Sequence, residues 1–264
     1  MNIVVTGAAG GLGNAVCSAL VEKGHTVFAC DVCKDRTCYT PGTTVCHMDV
    51  TDEESVAEAI RDIALSGNVD AVVHLAGLFR TGALLEIDLG MLLSLLQVQV
   101  IGTARVNKAL SEMLIQQKGK IIIVSSELGI FSPAPFTGPY AIAKHALEAY
   151  ATTLRRELTH QGISVTTVRP GSYSTDLHQH AIDAYEKIMT ESPRYRQTIS
   201  NAMPYIKWEM KHAHHPRKLA LAIVRTVELK HPPKIVSIGQ SIPLRLMNML
   251  PVGLQDRIYA LVFK

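Results

Sequence analysis

Apolar residues along this chain fall into two alternating rhythms. Short, nearly unbroken apolar runs occur at Asn2–Thr6, Thr26–Cys30, Thr44–Met48, Ala71–Leu75, Lys120–Ser125, Ser164–Arg169 and Lys234–Ser237. Bounded by turn residues, such runs read as buried strands. Between them, helical spacing covers Leu12–Lys23, Glu53–Leu65, Asp88–Gln117, Tyr140–His160 and Arg217–Lys230. Strands alternating with helices predict right-handed crossovers and an α/β, doubly wound parallel sheet covered on both faces. Such a sheet binds ligands at the carboxyl ends of its strands. No repeat or linker divides the pattern, so residues 1–264 are expected to form one domain. Residues 176–216 break the rhythm, with helices predicted at Leu177–Met189 and Tyr195–Lys211. Their place after the sixth strand suits a substrate lid, and ordinary packing onto the sheet is the competing reading.

Composition narrows the class. With 47% hydrophobic and 19% charged residues in 264, the chain has enough apolar material for a sizeable core. The first strand starts almost at Met1, so no secretory signal is expected, and no apolar run of spanning length stands out. The five cysteines (17, 30, 33, 38 and 46) are an odd count that fits reduced thiols and a cytoplasmic location. Cys30-x-x-Cys33 has zinc-like spacing, but Cys30 closes a core strand, and no metal site is predicted. A net charge of +3 is too mild for nucleic acid. Charge is uneven, however: residues 207–264 hold ten Lys/Arg against Glu209, Glu228 and Asp256. That asymmetry fits a solvated basic face or peripheral contact with anionic lipid.

Candidate chemistry begins directly after the first strand, at Thr6-Gly-Ala-Ala-Gly-Gly-Leu-Gly13. Gly7, Gly10, Gly11 and Gly13 permit a tight turn and close backbone approach, and Leu12 opens the helix whose N-terminus faces a pyrophosphate. Asp31, just past the second strand, suits the ribose hydroxyls of adenosine and repels a 2′-phosphate, which favours NAD over NADP. Lys34 and Arg36 follow it and weigh the other way. Asp49 and Val50 suit the adenine edge, and Ala76-Gly77 allows an unobstructed approach to the cofactor. Further on, Tyr140-Ala-Ile-Ala-Lys144 places a phenol and an ammonium on one helix face, after a strand ending Ser125-Ser126. A nearby cation favours phenolate, the base needed to deprotonate an alcohol. Bringing Tyr140 to near neutrality takes about 4 kcal/mol, much of which a close ammonium can supply. In this order the three features point to a nicotinamide-dependent oxidoreductase.

Over residues 1–239 the chain resembles the short-chain dehydrogenase/reductase family, through Thr6-Gly7-x3-Gly11-x-Gly13, Ala76-Gly77, Ser126, Tyr140-x3-Lys144 and Pro170-Gly171-x3-Thr175. The resemblance implies a Rossmann-type fold, Tyr140 as acid/base, Lys144 lowering its pKa and holding the nicotinamide ribose, and Ser126 orienting the substrate oxygen. It also implies that Thr175 binds the carboxamide above Pro170-Gly171, and that the protein is a homodimer or homotetramer through helices 88–117 and 140–160. The family's central-helix Asn is Gln99 here, which puts its proton relay in question. Its Asn-Asn-Ala-Gly is His74-Leu75-Ala76-Gly77, with His74 read as a buried strand residue. One extra residue separates Ser126 from Tyr140. His178 and His180 on the expected lid are further substrate candidates. The tail, through Pro232-Pro233 and the apolar 240–264 segment, resembles the hydroxysteroid/retinol branch and implies a lipophilic alcohol or ketone. A sugar-nucleotide epimerase or dehydratase, and a non-catalytic NAD-binding sensor, are the alternatives.

Overall fold

The computed structural model describes residues 1–174 and 176–264. Seven strands form one sheet: β1 (Asn2–Thr6), β2 (Thr26–Asp31), β3 (Thr44–His47), β4 (Ala71–His74), β5 (Lys120–Val124), β6 (Ser164–Pro170) and β7 (Ile235–Ile238). They lie in the order β3-β2-β1-β4-β5-β6-β7, and every pairing is parallel. Thr6 pairs with both Cys30 and His74, so the carboxyl ends of the central strands meet on one rim. Each predicted strand is present, with boundaries moved by a residue or two.

Alternation of side chains splits the interior in two. Ile3, Val5, Val73 and Ile122 point to the side covered by helices α1 (Gly11–Glu22) and α8 (Pro216–Glu228). Val4, Val72, Ile121 and Ile123 point to the other side, under α2 (Glu53–Leu65), α4 (Gly102–Gln117) and α5 (Gly138–Leu158). A β-branched residue buried on such a face contributes about 1.5–3 kcal/mol, and strands hydrophobic on both faces are what a doubly covered sheet requires.

Local signals explain the helix ends. Asp52 caps α2 by accepting from the Glu54 N–H, and Glu53 and Glu54 sit at the positive end of the helix dipole. Pro139 occupies the first turn of α5, where its missing N–H is harmless. On the amino rim, a positive-φ residue precedes every strand from β2 to β6: Gly24, Gly42, Gly67, Lys118 and Gly162.

The expected helix Asp88–Gln117 is present but not uniform. It runs as α3 (Leu89–Leu96), a π-helical turn at Gln97–Ile101, and then α4. The extra residue in that turn seats Gln99 in the interior, a distortion that hydrophobic spacing does not reveal. Leu89–Gln117 is also long and apolar enough to cross a membrane by length and composition, at a mean hydropathy of 1.4. The sequence reading missed this because Gln97, Gln99, Arg105 and Lys108 interrupt the run. Here its Leu95, Val106, Leu110 and Leu114 are buried in the protein.

The 176–216 segment forms α6 (Asp176–Glu191) and α7 (Arg196–Lys211), which enclose a small separate core of Tyr185, Ile199, Ala202, Met203 and Ile206. Two short helices not predicted, α9 (Ile242–Met247) and α10 (Val252–Val262), finish the chain. Phe263, just past α10, packs against the α6–α7 core.

Candidate active site

The glycine turn after β1 is tightly constrained. Gly7 has φ of +69°, and a Cβ there would lie 2.5 Å from the Ala76 amide nitrogen. A Cβ on Gly13 would lie 2.0 Å from the Gly7 carbonyl oxygen. The turn is therefore pressed against Leu75-Ala76 on one side and α1 on the other, and Thr6 Oγ1 accepts from the Ala76 N–H at 3.3 Å. Among the described residues no side chain caps α1, which begins at Gly11 after Gly10. Its first N–H groups and its positive dipole end are left to an anion such as pyrophosphate. Leu12 lines the adjoining cavity.

Asp31 ends β2 with both oxygens turned to backbone: Oδ2 accepts from Ala9 N–H at 3.0 Å and Oδ1 from Cys33 N–H at 3.1 Å. This holds the carboxylate beside the glycine turn with lone pairs to spare for hydroxyls. Lys34 and Arg36 are exposed in the segment that follows. Asp49 Oδ1 accepts from the Thr51 N–H and hydroxyl, and Val50 is buried under Gly102.

At the end of β5, Ser126 caps a short 3-10 turn, Glu127–Gly129, and α5 begins nine residues later. One turn of α5 separates Tyr140 from Lys144, as the spacing predicts. Lys144 Nζ lies 5.5 Å from the Tyr140 ring centroid and donates to the Val124 carbonyl at 3.2 Å. Glu148, one turn further, takes the Arg169 guanidinium with both oxygens at 2.9 and 2.8 Å. Phe79 stacks at a tilt on Tyr140, with centroids 4.9 Å apart.

Burial dominates the electrostatics. It pushes the Tyr140 phenol up to about 12, opposed by the hydrogen bond from Ser126. It pushes the Lys144 ammonium down to about 8, opposed by the charge of Glu148. The sequence assigns a close ammonium much of the stabilisation that a Tyr140 phenolate needs, and burial opposes the charged form of both groups. The ammonium is drawn to a backbone carbonyl and is itself destabilised, so the phenol stays protonated in the free protein.

Ser126, Tyr140, Lys144, Gln99, Gly77, Pro170 and Gly171 all border one cavity of about 470 Å³. Gln99 is 1% exposed; its Nε2 donates to the Leu78 carbonyl at 3.2 Å, while its Oε1 has no partner among the described residues. His74 is buried away from this cavity, 2.8 Å from Asn107 Oδ1, with its pKa pushed by burial to about 4. It is a neutral structural residue, as its strand position suggests. Thr175 lies outside the described residues, and the side chains of His178 and His180 are likewise not described. Sequence reasoning missed Phe79, Glu127, Tyr173 and Tyr259, which also line the cavity. Of these, only Glu127 had a local signal, its place directly after Ser126.

A glycine turn built for a pyrophosphate, a strand-end acid beside it, and Ser126, Tyr140 and Lys144 around one cavity define a nicotinamide-dependent oxidoreductase acting on CH–OH or keto groups. The chain belongs to the short chain dehydrogenase family, whose pattern matches residues 1–186. It is 29% identical over 247 residues to a 3-ketodihydrosphingosine reductase of Bacteroides thetaiotaomicron, covering 90% of this chain and 87% of that one. It is 31% identical over 180 residues to an NADPH-dependent 1-acyldihydroxyacetone phosphate reductase of Schizosaccharomyces pombe, covering 66% and 60%. A hydroxysteroid enzyme is also among its relatives: identity to estradiol 17-beta-dehydrogenase 2 of Mus musculus is 32% over 188 residues, covering 66% and 49%. A solved short-chain dehydrogenase from Streptomyces avermitilis superposes with a TM-score of 0.76 at 26% identity, covering 99% of this chain and 94% of that one.

Proposed function

We propose that the protein interconverts a lipophilic alcohol and its ketone or aldehyde with NAD, using Tyr140 as acid/base. The observation that carries this reading is the cavity itself. Beyond Ser126, Tyr140 and Lys144 it is walled largely by apolar side chains, among them Leu78, Pro135, Ile206, Met210, Leu244 and Met247. Sugar nucleotides, the substrates of the alternative epimerase reading, would leave this apolar wall unmatched. A lipophilic molecule finds a pocket of ordinary ligand size.

Bound NAD supplies the acceptor for a hydride, so alcohol and oxidised cofactor give carbonyl compound, reduced cofactor and one proton. The uncapped turn of α1 would hold its phosphates, Asp31 its adenosine ribose, and Lys144 its nicotinamide ribose. Ser126 donates a hydrogen bond to the substrate oxygen and holds it against Tyr140. In reduction Tyr140 gives its proton to that oxygen, which suits its protonated resting state. In oxidation it first loses the proton, then takes one from the alcohol. Lys144 stabilises the phenolate through that interval.

For the cofactor, the Asp31 carboxylate disfavours a 2′-phosphate at the turn it borders. Exposed Lys34 and Arg36, and the NADPH named for the yeast relative, weigh for NADP. The α6–α7 pair and the α9–α10 tail would cover the bound substrate. The deciding assay is reduction of NAD and NADP against hydroxysteroids, retinol, aliphatic alcohols and sugar nucleotides, with Tyr140→Phe alongside. Turnover of a lipophilic alcohol with NAD, reduced at least about 100-fold in Tyr140→Phe, is the expected result. Cofactor binding with no turnover on any alcohol would replace this reading with the non-catalytic one.

A further inference from the structure

Helices α9 and α10 carry an apolar face that the described residues leave uncovered. Ile242 and Leu246 lie one turn apart on α9, Met249 and Val252 follow in the connection and at the first position of α10, and Leu254 and Leu261 share one side of α10. All six are between 43% and 76% exposed. The face is not a frayed end. Ser241 N–H donates to Glu127 Oε2 at 2.7 Å, Ser132 N–H to Asn248 Oδ1 at 3.0 Å, and Gln255 Nε2 to the Leu250 carbonyl at 2.8 Å. Leu244 and Gln255 are buried beneath, so these contacts hold both helices with their apolar side outward.

Cations are interleaved with these side chains. Arg245 stands three residues after Ile242 and Arg257 three after Leu254, spacings that put each on the apolar side of its helix, and Lys264 follows α10. All three are exposed, and Asp256 is the one acidic residue of the 240–264 segment. An exposed apolar patch rimmed by charge marks an interaction site, and this one needs a cover that is apolar within and negative at its edge. A second copy placed here by a two-fold axis would set the three cations against their own counterparts, with one carboxylate per copy to offset them. An anionic lipid surface supplies both parts: acyl chains for the apolar side chains and phosphates for the guanidinium and ammonium groups. The inner sides of the same helices line the cavity through Pro243, Leu244, Met247, Ile258, Tyr259 and Val262.

We propose that the outer face of α9 and α10 docks on the surface of a membrane that contains anionic lipid. The apolar side chains enter the boundary between headgroups and acyl chains, while Arg245, Arg257 and Lys264 meet the phosphates. The helices lie in the plane of that surface, since the 11 residues of α10 are too few to span it. Docked in this way, the protein takes a lipophilic substrate from the bilayer past α9 and α10 into the cavity. That consequence rests on the dehydrogenase reading, and the docking itself does not.

The test sediments the full chain with vesicles of phosphatidylcholine alone and of equal parts phosphatidylcholine and phosphatidylserine. Wild type is compared with two double variants, Leu246→Gln/Leu261→Gln and Arg245→Gln/Arg257→Gln. Wild type should bind the mixed vesicles in preference to the neutral ones, and less as salt is raised. The arginine pair should weaken that binding about fivefold per charge removed, and the leucine pair about tenfold per side chain. All four residues are exposed and none lines the cavity, so thermal melts should match wild type. If one pair melts early, the other still decides. Failure of the wild type to bind either vesicle overturns the proposal, as does binding that neither pair weakens. Sedimentation equilibrium without lipid tests the competing cover: a wild-type oligomer that the leucine pair dissociates overturns the proposal in favour of a contact between copies. Vesicle binding requires no turnover. A protein inactive on every alcohol yet bound to the mixed vesicles would defeat the dehydrogenase reading and support the docking.

Discussion

Replacing Glu148 with Gln asks whether Lys144 serves this site as a charged group. Both lie on α5, one turn apart, where Cβ atoms are about 6 Å from each other. At an effective dielectric of about 20, a carboxylate at that range is worth about 3 kcal/mol to an ammonium, or about 2 pH units. In the native protein that attraction works against burial and leaves Lys144 at about 8. Without it the ammonium should titrate lower still, and the Arg169 guanidinium, which loses the carboxylate to which it donates both hydrogen bonds, pushes in the same direction. The alkaline limb of kcat/KM for NAD reports the free protein, so it should move acidward and cost roughly tenfold in rate at neutral pH. The assay is initial-rate NAD reduction at subsaturating NAD across the pH range, with thermal melts at each point. A stability loss of about 2 kcal/mol is expected, below the 3–5 typical of a fully buried pair because the Arg169 side chain is 18% exposed. A folded variant whose alkaline limb stays in place would refute the argument.

Two further substitutions test the cofactor turn and a buried network. Gly13→Ala places a Cβ 2.0 Å from the Gly7 carbonyl oxygen, a backbone atom that cannot swing aside, whereas the same change at Gly10 meets only that oxygen at 3.5 Å. NAD affinity, read by fluorescence titration, should fall about 100-fold in the first and little in the second, and equal effects would contradict the packing described. His74 has a folded pKa of about 4 against its ordinary value of 6.5. The unfolded chain therefore takes the proton first, and stability declines as pH drops from about 6.5 to about 4, by roughly 3 kcal/mol in all. In His74→Gln this decline should be absent from urea unfolding at matched pH, and an unchanged pH slope would assign the acid sensitivity to other groups.

Most of the frame was legible because its signals are local. Apolar runs such as Ile121–Ile123 are buried on both faces and need no distant partner to be recognised as strands, and the glycine turn and Tyr140-x3-Lys144 are short motifs on single elements. What stayed hidden depends on three-dimensional neighbours. Burial raises Tyr140 more strongly than the Ser126 hydrogen bond lowers it, and burial cannot be read from spacing. The π turn that seats Gln99 preserves the overall helical pattern, so periodicity passes over it. Glu127, Glu209 and Tyr259 come from three distant parts of the chain, and only the docking of α7 and α10 over the strand ends makes them neighbours.

The two rims of the sheet divide the protein's labour. On the amino rim, strand after strand is launched from a backbone twist at Gly24, Gly42, Gly67, Lys118 or Gly162, and no group of the candidate site is found among these five turns. Across the sheet, the opposite rim carries the nucleotide turn, the Ser126 turn and the tail contact at Ser241. Genetic variation can therefore be sorted by geography. Changes on the first rim act through the amount of folded protein, while changes on the second alter what each folded molecule recognises and transforms.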